Sequence, residues 1–137
     1  MYRIRKTFKF EGSHILKTAF SKACSEHIHG HSYKVEVMLE SQTLNEDGMV
    51  IDFGKVKEVI KPEIDKWDHA FVCHETDERY NDVADFTVPF NPTAENMAKY
   101  FYDKFRKPLN GSVSCVRIHE TDTGWAEYDE VWHGPRS

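Results

Sequence analysis

An α+β fold, with a four-stranded antiparallel sheet carrying two helices on one face in the order β-β-α-α-β-β, is predicted by three patterns in the chain. Apolar and polar residues alternate in "YRIRKTFKF" and again from Tyr33 to Leu39. They recur at three and four residues after Phe53 and again after Thr93, and two short strand-like runs close the chain.

Each element has its own justification. In the first run Tyr2, Ile4, Phe8 and Phe10 share one face, with Lys6 the exception, so a half-buried strand is expected over 2–11. The second run, Tyr33, Val35, Val37 and Leu39, ends before the turn signal Asp47-Gly48 and predicts a strand over 29–41. Val56, Val59, Ile60, Ile64 and Trp67 form a helical stripe, and Pro62 inside it predicts a kink or break near Lys61. A loop of about 25 residues is expected next, a length that in a small domain usually marks function. Thr93 then caps a second helix whose stripe is Ala94, Met97, Ala98, Phe101 and Phe105, and strands near 112–120 and 125–131 follow. Four strands leave two unpaired edges, which subunits joining into a closed barrel would satisfy.

With 137 residues, 39% of them hydrophobic, the chain suits a single domain over 1–137 without repeat or linker. No apolar run is long enough for a signal peptide or a membrane span, and three scattered cysteines fit reduced thiols, so a soluble cytoplasmic protein is expected. The net charge is −5, which argues against a nucleic-acid partner. Residues 1–34 nevertheless carry seven Lys/Arg against two acids. Arg3, Arg5, Lys6, Lys9, Lys17 and Lys22 therefore suit a small anion such as a phosphate, or simply a solvated edge strand.

Three of the eight histidines crowd into "HIHGH". His29 and His31, two apart on a strand, put their imidazoles on one face about 7 Å apart at Cα, within chelating reach of one ion. His14, at the end of the neighbouring strand, supplies a third nitrogen, and three neutral imidazoles suit Zn²⁺ with one position left for water or substrate. Cys24 is open to two readings, fourth ligand or reactive thiol, beside the common fate of a free cysteine as a small buried hydrophobe. Asp68 beside His69 at a helix end suits an aspartate orienting a proton-transfer histidine. Glu120 ends an apolar strand, as a binding carboxylate or an edge charge. His27, His74, His119 and His133 lack comparable company.

Taken together, "FKFEGSH", "HIHGHSYKVEV", "GMVIDFGKVK", "WDHAFV", "FNPTAENMA" and "HETDTGWAEY" resemble, in order and over essentially the whole chain, the 6-pyruvoyl-tetrahydropterin synthase / 6-carboxy-tetrahydropterin synthase family. The resemblance implies the tunnelling fold, whose subunits form trimeric barrels stacked as homohexamers with active sites at subunit interfaces. It implies zinc on His14, His29 and His31, a catalytic thiol at Cys24, a proton relay of Asp68 and His69, and a pterin anchor at Glu120. Thr93 and Glu95 match positions lining the pterin pocket. The implied substrate, 7,8-dihydroneopterin triphosphate, would give the basic N-terminal segment a triphosphate to meet. No dinucleotide fingerprint is present, and none is needed for triphosphate elimination with internal redox chemistry.

The gap from Cys24 to His29 is one residue longer than is usual in the 6-carboxy group, and Glu26 stands where a folate-related subgroup carries a glutamate in place of the cysteine. The leading expectation is a 6-carboxy-5,6,7,8-tetrahydropterin synthase of queuosine precursor synthesis. The 6-pyruvoyl synthase, side-chain cleavage to 6-hydroxymethyl-7,8-dihydropterin, and a non-catalytic zinc- or pterin-binding protein are the alternatives.

Overall fold

The computed structural model describes residues 1–131, so His133 and its surroundings lie outside the described residues. The elements are β1 (Tyr2–His14), α1 (Lys22–Glu26), β2 (His29–Ser41), α2 (Phe53–Trp67), β3 (Ala70–His74), β4 (Phe86–Val88), α3 (Ala94–Arg106), β5 (Val113–His119) and β6 (Trp125–Tyr128). They build one sheet in the order β4-β3-β1-β2-β5-β6.

The four expected strands are present, and β1-β2-β5-β6 is antiparallel throughout. Among the described residues the four-strand count is corrected to six, because the expected long loop contains β3 and β4. These run parallel to β1 and to each other, and make the sheet mixed. At five and three residues they are too short to show a period.

Phe8 pairs with Val35 and Phe10 with Tyr33 across β1 and β2, so one sheet face is continuously apolar. Onto it α2 lays Val56, Ile60, Ile64 and Trp67, and α3 lays Met97, Ala98, Phe101 and Phe105. Phe10 stacks on Tyr33 at 4.7 Å between ring centroids, and Trp67 meets Phe101 edge-on at 5.3 Å. Burying such side chains contributes about 2 kcal/mol each, the main source of stability here.

The break expected at Pro62 does not occur, and α2 runs through it to Trp67. Pro62 and Glu58 both lie on the exposed side of the helix, where the carbonyl freed by the missing N–H can be hydrated. Asp52 caps the start of α2 by accepting from the Gly54 N–H at 2.6 Å. The expected turn at Asp47-Gly48 is there, with Gly48 at φ +79°.

The opposite sheet face is charged. Arg3 pairs with Glu40 at 3.1 Å and Arg5 with Glu36 at 3.7 Å, while Arg117 lies between Glu36 and Glu127. Arg3 and Arg5 neutralise cross-strand acids on the face away from the helices, and alternation turns Lys6 to the other side. Among the described residues no helix is long and apolar enough to cross a membrane.

Candidate active site

The register of the two long strands assembles the histidines. His14 on β1 lies directly opposite His29 on β2, and His31, two residues on, points to the same helix-covered face. Gly12 faces His31 across the strands, and a Cβ there would come within 3.0 Å of the Phe10 ring and 3.3 Å of the Tyr33 ring. The missing side chain leaves room for the stacked aromatic floor beneath the imidazoles.

The three rings meet edge-on with centroids 4.4, 5.1 and 5.0 Å apart, and their ligand nitrogens all lie within 4.8 Å of one another. Backbone carbonyls orient two of them. The Nδ1–H of His14 donates to the Pro92 carbonyl at 2.7 Å and that of His29 to the His27 carbonyl at 3.0 Å, which leaves each Nε2 as a bare acceptor. Those two Nε2 atoms stand only 2.8 Å apart, an arrangement that a shared cation relieves. His31 Nε2 is buried without a hydrogen-bond partner. Burial, reinforced by the neighbouring imidazoles and opposed by the Pro92 carbonyl, pushes the pKa of His14 down to about 4, and burial followed by His29 lowers that of His31. Neutral, converging imidazoles with an unsatisfied nitrogen fit a metal ion. Among the described residues no other group of three His, Cys, Asp or Glu side chains comes so close together.

Glu120 follows β5 and brings its Oε2 to 4.0 Å from His31 Nε2. Burial, followed by repulsion from Glu95, raises its pKa, while His29 opposes both. Glu95, Glu120, Gly124 and Trp125 line an open recess of about 390 Å³, the size class of a small-molecule site. Thr93 caps α3 by accepting from the Asn96 N–H at 3.2 Å and so sets the direction of the turn that carries Glu95.

Asp68 and His69 sit at the end of α2. Asp68 Oδ1 accepts from the Glu11 N–H at 2.9 Å and lies 3.1 Å from His69 Nδ1, so the aspartate orients the imidazole. The Glu11 N–H is the chief cause lowering the Asp68 pKa. His69 itself is left-handed, at φ +60°, with an exposed ring, and shares a recess with His31 and Ser32. A non-glycine residue held at positive φ beside an oriented carboxylate is local strain of the kind found at functional sites.

Cys24 and Glu26 both lie on α1, the first half-buried and the second exposed. Neither side chain hydrogen-bonds to another described residue. The Pro92 carbonyl and the Tyr33 hydroxyl, 3.4 Å from His14 Nδ1, are contributors that sequence patterns do not disclose. A carbonyl has no residue signature, and Tyr33 reads as an ordinary core position.

A model of the family described as 6-pyruvoyl tetrahydropterin synthase matches residues 3–131. The chain is 34% identical to the 6-carboxy-5,6,7,8-tetrahydropterin synthase of Haemophilus influenzae, over 95% of this chain and 100% of that one. It is 37% identical to the enzyme of the same name from Aquifex aeolicus, over 94% and 98% respectively. The crystal structure of the Wolinella succinogenes protein WS1659 superposes with a TM-score of 0.81 at 27% identity, covering 95% of this chain and 98% of that one. The mixed sheet with helices on one face agrees with that fold, and the match over nearly the whole chain shows that the chain belongs to the 6-pyruvoyl tetrahydropterin synthase family.

Proposed function

We propose that this pterin synthase is zinc-dependent and converts 7,8-dihydroneopterin triphosphate to 6-carboxy-5,6,7,8-tetrahydropterin, in the cytoplasm and as a homohexamer of two stacked trimeric barrels. The observation that carries the reading is the cluster of His14, His29 and His31 with the Glu120 carboxylate 4.0 Å away. The names of the Haemophilus and Aquifex relatives point to the product.

His14, His29 and His31 would hold the zinc, which when bound would supply a Lewis acid for the oxygens of the substrate side chain and so make the adjacent C–H more acidic. Glu120 accepts two parallel hydrogen bonds from the amino-pyrimidinone edge of the pterin, as a carboxylate does from a guanidinium. Glu95 lines the same recess, and Thr93 holds the helix turn that presents it. Cys24 and His69 move the protons, with Asp68 keeping the His69 ring in one orientation.

The five-residue α1 bears on the choice between Cys24 and Glu26. Two positions along a helix are about 200° apart, so the two side chains cannot face the same side. Cys24 is the half-buried one, which favours the 6-carboxy reading over side-chain cleavage with Glu26 as the reacting group.

Mass spectrometry of the products after zinc-loaded protein meets 7,8-dihydroneopterin triphosphate tests the proposal. The 6-carboxy product is expected. A 6-pyruvoyl or 6-hydroxymethyl pterin would move the chain to another branch of the family, and no turnover would leave a pterin-binding protein.

A further inference from the structure

The segment between His14 and His29 carries Cys24; past Ile15, whose side chain is buried at its start, little holds the stretch around α1. Its one helix, α1, has five residues, no buried side chain and no side-chain hydrogen bond at its N-cap. A helix this short does not persist in water by itself. Something outside the segment must fix where Cys24 stands.

Arg79, in the connection between β3 and β4, is placed to do so. Its Nη1 donates to the Ser25 carbonyl and its Nη2 to the Leu16 carbonyl at 3.2 Å, one contact on α1 and the other on the chain that leaves β1. Leu16 in turn donates its N–H to the Cys24 carbonyl at 2.9 Å, so the guanidinium closes a ring of contacts around the cysteine's own backbone. The fork is held from behind by Asp77, which is 2% exposed and accepts from Arg79 Nε at 2.9 Å and from Nη2 at 2.8 Å. A buried carboxylate locked two-pronged to an arginine gives that arginine a single orientation. Asn91 makes a separate attachment at the start of the segment, accepting from the Lys17 N–H and donating to the Thr18 carbonyl, and leaves α1 to Arg79.

We infer that Arg79 is a positioning residue which, backed by Asp77, clamps α1 through the Ser25 and Leu16 carbonyls and so fixes Cys24 for proton transfer. The inference rests on the reading of Cys24 as the proton-transfer residue. A lysine at 79 keeps the countercharge of Asp77 but has no planar fork, so it cannot serve the carboxylate and two carbonyls at once.

The test uses the full-length, zinc-loaded protein with Arg79→Lys, and with Asp77→Asn/Arg79→Gln as a second variant that leaves no unpaired buried charge. Amide hydrogen exchange over residues 16–26 should accelerate by about tenfold or more while the β1 and β2 amides stay protected. For the same variants kcat should fall by about tenfold or more, with zinc content and pterin affinity unchanged. In a Cys24→Ala background Arg79→Lys should cost almost nothing further, the non-additivity of two residues acting through one group. Unchanged exchange over 16–26 in both variants, or unchanged kcat despite faster exchange, would overturn the clamp. Full activity of Cys24→Ala alone would instead remove the role given to Cys24, and the clamp is then decided by the exchange data.

Discussion

Replacing Glu120 by glutamine isolates the carboxylate's work. The side chain keeps its length and its place at the wall of the recess, 4.0 Å from His31 Nε2, but one acceptor oxygen becomes a donor. If the carboxylate grips the amino-pyrimidinone edge, one charge-assisted hydrogen bond is lost and a donor now faces a donor. Hydrogen bonds to charged groups are worth about 1.5–3 kcal/mol, which converts to a loss of roughly 10- to 150-fold in affinity. Partial exposure of the side chain places the expectation at the lower end of that range. Isothermal titration of zinc-loaded protein with a pterin lacking the triphosphate measures this directly, because phosphate contacts drop out, and metal analysis of the same sample should give one ion per chain in both proteins. Affinity within twofold of the parent would reduce Glu120 to an edge charge. Loss of the metal together with affinity would make it a support of His31 instead of a pterin anchor.

Other outcomes are equally open to measurement. His29→Ala and His31→Ala should each lower zinc stoichiometry well below one per chain, and full retention of zinc and turnover in both would sink the three-histidine site. Cys24→Ala should lose about 10²-fold or more in 6-carboxy product formation, the range of a general base, and Glu26→Gln less; the reverse order, with a 6-hydroxymethyl product, would favour side-chain cleavage. Light scattering should find hexamers, since among the described residues β4 and β6 both present open edges, and a fully active monomer would remove the interface site. Asp77 has its pKa lowered first by the Arg79 hydrogen bonds, with Lys17 adding to the effect, and Cys73 is the other titratable neighbour. A depressed carboxylate contributes stability that is whole above its unfolded value of 3.8 and lost as pH falls through the lower folded value. Urea midpoints of the parent and of Asp77→Asn should therefore converge in acid, and a gap that persists at the lowest pH would refute the linkage.

Much of the fold was legible because long elements repeat their signal. β2 was expected over 29–41 and spans His29–Ser41, since four alternating apolar residues fix both its face and its extent. The stripe of α3 likewise names its buried side, and all five of its expected apolar residues are buried. β3 and β4 escaped because short strands are decided by their neighbours: Ala70 to Val72 pair with the end of β1, a contact between residues about 58 positions apart. Of the kink or break expected near Lys61, the break does not occur, because Pro62 sits on the exposed side of the helix and sequence shows the residue without its exposure. The basic segment is divided between faces, with Arg3 and Arg5 on one and Lys6 on the other. Counting charges along a strand merges two faces that the pleat separates.

The candidate site divides in the same way. The spacing His-x-His already places two imidazoles on one face, whereas His14 joins them only through the register of β1 against β2. That register is decided by the core. Phe8 against Val35 and Phe10 against Tyr33 put the aromatic and branched side chains under the helices, and the same alignment, carried on to the strand ends, sets His14 against His29. A slip of one residue would set His14 opposite Gly30 or Ile28 and turn the apolar row of one strand outward, at a cost of several buried side chains at about 2 kcal/mol each. The hydrophobic pattern that drives folding therefore also gathers the three imidazoles before any ion arrives. The converging nitrogens, 2.8 Å apart between His14 and His29, are held by the fold against their own repulsion. Binding a cation relieves that repulsion, so the metal should stabilise the folded chain by more than it would a flexible pair of histidines.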